Sequence, residues 1–572
     1  MDKNTITGFI LIAIVLFGYT WWSTPSAEQI AEQARQDSIA QVEYAKAEKL
    51  KRQKADAAKK ANEMAALDST ALFHSALNGT AQKVVLKNDK LELTLNSKGA
   101  TVEKAVVKGY KDRNDNPDAT LFDEKVQSLN YILSTKEQNI ETQDLFFTVS
   151  ESTDSTVTFT AEAAPGKTIE LAYQLGKDYL LHMQMRVNGM AGMFPAGTST
   201  MHVNWKDKAI QQEKGFTFEN RYSTLTYHTT DGDTDKLSET SEKVDEEIDK
   251  AIDWVAFKSQ FFSSVMIAKS DFAANSKMTS IPEKKGTGYL KQYEAKMETP
   301  LDPKGVEASE FEFYYGPNDF HILKGIEKQS TFGKDLDMTR LVYLGWWIFR
   351  FINRWLMYPL FEGLAALAIP MGIVLILITL ILKVITYPMV KKSYMSSAKM
   401  RVLKPKLEEA TKQYNDPDQA MQKQQAMMQE YAKYGVSPMA GCLPMLIQMP
   451  IWLAMFNFVP NAIQLRGQSF LWMDDLSTYD PIIEWGKNIW VIGDHISLTC
   501  ILFCVGNLLY SWMSMRQQKD QMVGQQAEQM KMMQWMMMLM PLMFFFIFND
   551  YSSGLNFYYF ISLFFSAAIM WG

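Results

Sequence analysis

The sequence predicts a polytopic α-helical membrane protein with six spans and one large all-β domain outside the cytoplasm. Three observations predict this class. Six long apolar runs are separated by polar segments. One region of about 240 residues alternates apolar and polar side chains, which is typical of half-buried strands. Lys and Arg are concentrated in alternate loops, as the positive-inside rule requires.

Charge and composition divide the chain at about residue 339. From Thr339 onward the sequence has 18 Lys/Arg and 14 Asp/Glu, a net charge of +4. The preceding part has 40 and 50, a net charge of −10, so the total of −6 hides two different parts. The acidic balance excludes a strongly basic nucleic-acid binder. Three cysteines, all within apolar runs, exclude a disulfide scaffold.

Near the N-terminus, an uncharged run of 17 residues extends from Ile6 to Trp22 and is closed by one Tyr and two Trp. This length and aromatic ending predict an uncleaved transmembrane anchor over residues 1–24. A cleaved signal peptide is the alternative, although no clear cleavage site follows. Residues 25–82 are rich in Ala, Gln, Glu and Lys, and predict a charged spacer.

Residues 83–325 are predicted to form the β domain. Leu91, Leu93 and Leu95 alternate with polar residues, and turn signals recur throughout the region. The region contains no Cys, so its stability must come from its core. The acidic stretch from Asp231 to Lys250 is expected to be a solvated loop.

Residues 326–368 are predicted to be a linker followed by an amphipathic helix in the membrane interface. Arg350 and Arg354 are four residues apart, so they share one helix face, while Trp, Ile, Phe and Leu occupy the rest. The alternative is the beginning of a spanning helix.

The remaining sequence, residues 369–572, is predicted to form the membrane core. The loop 391–434 has nine Lys/Arg against five acids, whereas the loop 461–495 has two against five. This difference places the first loop, both termini and the third loop inside, and the β domain outside. The turn signal at residues 415–418 makes the first loop a helical hairpin. The predicted spans cover residues 369–390, 438–459, 496–515, 530–548 and 555–571.

Lys383 is the candidate functional residue, because it lies well inside the apolar run 369–390. A lysine near a helix centre costs on the order of 2.5–3.5 kcal/mol on insertion scales, and usually faces a polar cavity. The alternative is a side chain that extends to the cytoplasmic surface. Polar residues in the spans could line a groove with it, and these candidates are Thr379, Gln448, Asn507, Tyr558 and Tyr559.

Methionine is the second unusual feature, with eleven residues between Met513 and Met543. Methionine suits surfaces that accept many different apolar partners, although it also fills membrane cores. Signals for an enzyme are poor, because the sequence has no HExxH or CxxC motif. No catalytic residue, metal site or cofactor is therefore predicted.

Three segments carry a resemblance to a known family: SAKMRVLKPKLEEATKQY, YGVSPMAGCLPMLIQMPIWLAMF and SSGLNFYYFIS. Together with LGWWIFRFINRWLMYPLF and FYYGPNDFHILK they strongly resemble the YidC-type membrane protein insertases (the YidC/Oxa/Alb family). The long region before the second span resembles the Gram-negative form, which has a large periplasmic domain. The resemblance extends over essentially the whole chain.

The resemblance implies ATP-independent insertion and folding of inner-membrane proteins. It implies five core helices around a hydrophilic groove, and a periplasmic β-supersandwich. Thr379, Gln448 and Tyr559 match groove positions, whereas Lys383 stands where the family has arginine. Lysine keeps the charge but loses the guanidinium fork. The cytoplasmic hairpin contributes basic residues, which are Lys399, Arg401, Lys404 and Lys406.

The implied partners are nascent membrane proteins, the lipid bilayer, the Sec translocon and the ribosome. Family members usually carry a basic cytoplasmic tail after the sixth span. Here the sixth span ends at Trp571 and Gly572, and both a natural and a truncated end stay open, as does ribosome binding through a tail. Two other function classes stay open: a secondary transporter, and a membrane-anchored carbohydrate-binding or carbohydrate-active protein. We find no internal repeat of the kind that transporters show.

Overall fold

The computed structural model of the protein describes residues 72–412, 414, 419–435, 443–489, 493–519, 538–541 and 543–571. The predicted N-terminal anchor 1–24, most of the spacer 25–82 and the hairpin turn 415–418 lie outside these residues. So does most of the methionine-rich segment between the fourth and fifth predicted spans.

The β domain consists of antiparallel strands in three sheets. The sheet orders are β1-β2-β3-β4, then β13-β12-β15-β16-β19-β10-β9-β8-β7, and β14-β17-β18-β11-β5-β6. The strands are Lys83–Lys87 (β1), Leu91–Asn96 (β2), Thr101–Val107 (β3), Ala119–Phe122 (β4), Ser128–Ser134 (β5), Asn139–Glu141 (β6), Thr148–Ser152 (β7), Thr156–Ala164 (β8), Lys167–Leu175 (β9), Leu180–Asn188 (β10), Thr200–Ile210 (β11), Thr224–Thr229 (β12), Thr234–Lys236 (β13), Val244–Ile248 (β14), Ile252–Lys258 (β15), Phe262–Phe272 (β16), Ser276–Pro282 (β17), Tyr289–Pro300 (β18) and Ser309–Pro317 (β19).

An aromatic core joins the nine-stranded sheet to the six-stranded sheet. Trp205 on β11 stacks on Phe257 on β15, with 3.9 Å between ring centroids. Tyr131 on β5 lies 5.8 Å from Phe311 on β19. Large aromatic rings bury the most area per residue, so these contacts supply much of the stability of a domain without disulfides.

The acidic stretch 231–250 is not only a loop, and this expectation was wrong. It contains β13 and β14, which lie at the ends of the nine-stranded and six-stranded sheets. Edge strands have one unpaired side, and outward-pointing charges there prevent pairing with other chains. The charges of this stretch therefore mark sheet edges, which resemble a solvated loop in sequence.

Asp207 on β11 is buried in the core of the domain, and one of its carboxylate oxygens has no hydrogen-bond partner among the described residues. Burial raises the pKa of Asp207 to about 8, partly offset by the backbone N–H of Lys208. The folded state therefore holds a proton that the unfolded state releases above its ordinary pKa. The contribution of this proton to the free energy of unfolding is fully present below the ordinary pKa, and it is lost as the pH rises from that value through 8.

We expect Asp207→Asn to remove this pH dependence. For the unchanged protein, each pH unit between the two pKa values should lower the free energy of unfolding by about 1.4 kcal/mol. Thermal unfolding of the full chain in detergent from pH 6 to pH 9 would measure the slope. Asp154→Asn, which changes an exposed carboxylate, is the control. Equal slopes for the unchanged protein and Asp207→Asn would contradict the assignment.

The helices before residue 330 accompany the β domain, and the helices after it form the interfacial segment and the membrane part. They are His74–Leu77 (α1), Phe216–Tyr222 (α2), Phe320–Gln329 (α3), Trp347–Ile352 (α4), Tyr358–Ala365 (α5), Met371–Thr411 (α6), Ala420–Lys433 (α7), Leu443–Phe458 (α8), Leu498–Lys519 (α9), Met538–Phe548 (α10) and Ser553–Trp571 (α11). The predicted boundary at residue 325 falls inside α3. The hairpin Pro481–Ile489 (β20) and Gly493–Ser497 (β21) precedes α9.

Of the described helices, α6, α9 and α11 are long and apolar enough to cross a membrane. They coincide with the second, fourth and sixth predicted spans. Helix α8 is a 16-residue apolar helix within the third predicted span, and α10 is a shorter apolar helix within the fifth.

Helix α6 continues without interruption from the membrane into the predicted hairpin, over 41 residues that include Pro388 and Pro405. The change from apolar to basic residues at Lys391 therefore marks a change of environment and not a helix end. A cluster of Met400, Leu407, Met427 and Tyr431 packs the second half of α6 against α7.

The predicted interfacial helix consists of α4, a π-helical turn at Asn353–Met357, and α5. Its exposed apolar residues include Trp346, Trp347, Phe351 and Trp355. Exposed tryptophans of this kind are typical of the membrane interface.

Candidate functional site

A small polar cavity lies where four membrane helices meet. Helices α6, α8, α9 and α11 all contribute to it. Its lining residues are Lys383, Thr386, Tyr387, Val390, Tyr394, Gln448, Tyr510, Ser566 and Ile569. The cavity volume is about 10 Å³, which is close to the minimum that holds one water molecule.

Lys383 is the charged group of this cavity, and its side chain is only 7% exposed. Its ammonium Nζ donates a hydrogen bond to Ser566 Oγ at 2.6 Å, and Ser566 Oγ in turn donates to the carbonyl of Ser562 at 2.9 Å. Of the three donors of an ammonium group, this contact uses one. The described residues provide no carboxylate within ion-pair distance, so the site holds a cation that neutral oxygens alone solvate.

Depth along the helices explains why Ser566 and Lys383 meet. Lys383 lies twelve residues after the first residue of α6, which corresponds to about 18 Å. Ser566 lies thirteen residues after the first residue of α11, or about 20 Å from the same side. Tyr559 is only about 9 Å along α11, so it lies nearer the opposite end of the bundle.

The structure brings only one of the predicted companions, Gln448, into the cavity with Lys383. The hydroxyl of Thr379 instead donates to the Leu375 carbonyl of its own helix at 2.7 Å. Tyr559 is buried at the opposite end, where it stacks on Trp452 at 4.8 Å and donates to the Trp452 carbonyl at 3.2 Å. Tyr558 is also buried, next to Tyr559.

Asn507, the other predicted companion, does not line the cavity; its neighbour one turn further along α9, Tyr510, does. Tyr510 and Ser566 were both missed by sequence reasoning. Counting residues from the shared side of each span would have found them, because both lie at about the depth of Lys383.

Where the β domain meets the membrane core, a buried ion pair connects it to the segment that follows α8. Arg466 Nε lies 2.6 Å from Glu213 Oε1, and both side chains are less than 10% exposed. Glu219 is close by, where it accepts the backbone N–H groups of Gln212 and Glu213. Burial raises the pKa of Glu213 to about 7 and that of Glu219 well above its usual range, although Arg466 opposes both shifts. One guanidinium thus faces two buried carboxyls.

Direct contacts extend this junction across the end of the membrane helices. Gln260 donates to the Pro460 carbonyl at 2.7 Å, and Gln464 donates to Asp319 at 2.6 Å. Arg221 contacts Tyr551, just before α11. The β domain is therefore packed directly on the core.

Comparison with known proteins agrees with this division of the chain. Residues 83–359 match the family described as YidC periplasmic domain, and residues 363–572 match the 60Kd inner membrane protein family. The Membrane protein insertase YidC of Phocaeicola vulgatus is 48% identical over 98% of this chain and 89% of its own length. That of Bacteroides fragilis is 44% identical over 100% and 91%. The chain belongs to the YidC family of membrane protein insertases.

Family membership confirms the resemblance seen in the sequence. It makes the chain an inner-membrane protein with a periplasmic domain, and membrane proteins its substrates. Among solved structures, a galactose mutarotase related enzyme from Lactobacillus acidophilus is 12% identical, covers 41% of this chain and 97% of its own, and gives a TM-score of 0.27. A likeness at this score does not define the β domain further.

The predicted helical hairpin of this YidC-family chain exposes a mixture of basic and apolar groups. Lys399, Arg401 and Lys406 are exposed, and Lys404 is half-buried. Lys406 lies over the ring of Tyr434, with its Nζ 5.0 Å from the centroid. Large apolar side chains are exposed among them, namely Met395, Val402, Met421 and Met428.

Proposed function

We propose that this YidC-family chain inserts membrane proteins without nucleotide, by passing the polar flank of a substrate beside Lys383. The observation that carries the proposal is a buried cation in a polar cavity between four apolar helices. Such a charge is costly in a bilayer and lacks a carboxylate partner among the described residues, so a structural ion pair does not explain it.

Lys383, Gln448, Tyr510 and Ser566 can replace part of the hydration shell of a polar segment. The cavity of about 10 Å³ is too small for a polypeptide, so the surrounding helices must separate during insertion. Thr379, Asn507, Tyr558 and Tyr559 then act by supporting the helices around the cavity.

The apolar part of the substrate moves along the lipid-facing side of the bundle. Leu446 and Met449 flank Gln448 on α8 and are about half exposed, as is Met543 on α10. A substrate helix of 20 residues gains on the order of 10 kcal/mol on entering lipid, if each apolar residue contributes about 0.3–0.6 kcal/mol. This exceeds the cost of about 2.5–3.5 kcal/mol for one charge at mid-membrane. Burial in lipid therefore drives the step.

The exposed methionines and basic residues of the hairpin receive the substrate on the cytoplasmic side. Flexible thioether side chains accept apolar helices of different shape, and Lys399, Arg401, Lys404 and Lys406 attract acidic flanks and lipid phosphates. The Sec translocon and the ribosome are further proposed partners on this side.

The finer architecture belongs to the same proposal. It has six spans, with both termini in the cytoplasm and the β domain, as a supersandwich, in the periplasm. The loop charges support this orientation, because the basic loop 391–434 must lie inside. The domain boundaries are those predicted from sequence, except that the β domain extends from residue 325 to Gln329, the end of α3.

Reconstitution tests the proposal. The purified full chain in liposomes should protect a single-span substrate from external protease, and apyrase should not reduce the protected fraction. Liposomes without the chain are the control for spontaneous insertion. No protection above this control, or protection only with added ATP, would contradict the proposal.

A further inference from the structure

A second and much larger cavity, of about 630 Å³, lies between the β domain and the interfacial helix. Its size is in the range of small-ligand sites. The nine-stranded sheet, α3, the segment 334–339 and the π-helical turn surround it. Its lining residues are His228, Thr230, Asp231, Gly232, Asp253, Asp271, Lys324, Glu327, Lys334, Asp335, Asp337, Thr339 and Arg354.

One group of charges in this cavity is internally neutralised. Lys334 Nζ donates to Asp253 at 3.0 Å and to the Ala268 carbonyl at 2.8 Å, and it also contacts Asp271. His228 Nδ1 lies 3.1 Å from the other oxygen of Asp253. These residues form a fixed floor, and their charges are not available to a ligand.

Four other lining charges have no such partner. Lys324 and Arg354 are cations, and Glu327 and Asp335 are anions. Within the described residues, none of the four lies within 4.0 Å of an oppositely charged group. Glu327 accepts the backbone N–H groups of Thr339, at 3.2 Å, and of Met338. Arg354 lies over the Phe320 ring at 5.9 Å. The cavity thus presents unpaired charges of both signs.

The cavity also lies next to the membrane surface. Arg354 precedes Trp355, and the exposed aromatic residues Trp346, Trp347, Phe351 and Trp355 of the same segment are 63–79% exposed. Tryptophan rings of this kind lie at the level of lipid headgroups. The cavity therefore shares the interfacial segment with these rings, because Arg354 lines it and Trp355 is the next residue.

We propose that this cavity binds the zwitterionic headgroup of an aminophospholipid. Arg354 and Lys324 hold the phosphate, and Glu327 and Asp335 accept hydrogen bonds from the primary ammonium group. Both signs of unpaired charge are then neutralised by one ligand.

The lining chemistry separates this ligand from other candidates. A quaternary choline group is recognised by aromatic faces, and the lining contains no Trp, Tyr or Phe among the residues that the structure describes. A basic peptide would neutralise Glu327 and Asp335 but leave Arg354 and Lys324 unpaired. Both considerations favour a primary amine joined to a phosphate.

Native mass spectrometry of the full chain in detergent tests the proposal with phosphatidylethanolamine and phosphatidylcholine of equal acyl chains. The unchanged protein should retain phosphatidylethanolamine about tenfold more strongly, since a charge-assisted hydrogen bond is involved. Lys324→Gln with Asp335→Asn should abolish the preference. Lys328→Gln with Glu307→Gln is the matched control, because both residues are exposed and neither lines the cavity.

Soluble glycerophosphoethanolamine distinguishes the source of the headgroup. Displacement of the retained lipid by this compound only at high excess supports a membrane-derived ligand. Binding of the soluble compound without retention of the lipid would overturn that source. Equal retention by the unchanged protein and the cavity variant, or displacement by a lysine-rich peptide alone, would overturn the site itself.

Discussion

Lys383→Met is expected to reduce insertion of single-span substrates at least about tenfold, with the largest loss for substrates with an acidic flank. The variant keeps the length of the side chain and removes its charge. A charge-assisted contact of about 1.5–3 kcal/mol is lost from the step that moves the polar flank, which corresponds to this change in rate. Lys383→Arg should retain most activity, because it restores the charge.

Two controls separate this effect from misfolding. Lys391→Met removes an exposed lysine from the same helix, and should insert substrates normally. Lys383→Met should unfold in detergent at no lower temperature than the unchanged protein, because it removes a buried charge that has no carboxylate partner among the described residues. Full activity of Lys383→Met with acidic-flank substrates would show that the charge has no role.

Arg466→Met should destabilise the junction between the β domain and the core by about 3–5 kcal/mol, because it leaves buried carboxyls without a cation. Thermal unfolding of the full chain in detergent measures the loss. Lys214→Met is the matched control at the same junction. Lys214 and Glu484 form an exposed pair at 3.6 Å, for which about 1 kcal/mol or less is expected.

The pH dependence gives an independent check on Arg466→Met. Without the guanidinium, protonated Glu213 and Glu219 are tolerated in the interior and ionised ones are not. The folded state then binds protons that the unfolded state has released, so stability falls as the pH rises. The defect should be smaller at pH 5 than at pH 8. A loss that is equal at both values, or equal to that of Lys214→Met, would contradict a buried charge cluster.

Sequence reasoning could identify Lys383 because a charge within an apolar run is conspicuous and costly. It could not identify Ser566, because serine is tolerated throughout spans by bonding to its own helix. The hydroxyl of Thr379 shows the same behaviour, and this is why a polar residue one turn from Lys383 is not a companion. Depth along each helix, and not residue type, determines which polar groups meet.

The continuity of α6 shows a second limit. A charge pattern indicates whether a segment is surrounded by lipid or by water, whereas backbone hydrogen bonds determine where a helix ends. Pro388 and Pro405 do not end the helix, because neighbouring groups can compensate for a lost N–H. In the β domain, alternation at Leu91, Leu93 and Leu95 predicted the buried face correctly. Contacts between distant segments, such as Arg466 with Glu213, leave no periodic pattern in sequence.

Photocrosslinking from the cavity tests the central claim most directly. A photoreactive amino acid replaces Gln448 or Tyr510 in the full chain, and ribosome-stalled single-span substrates of increasing length are then presented. We predict crosslinks from both positions when the polar flank reaches mid-membrane, and weaker ones from Tyr559, which lies nearer the opposite end of the bundle. Absence of crosslinks from Gln448 and Tyr510 at every length, with insertion intact, would contradict passage beside Lys383.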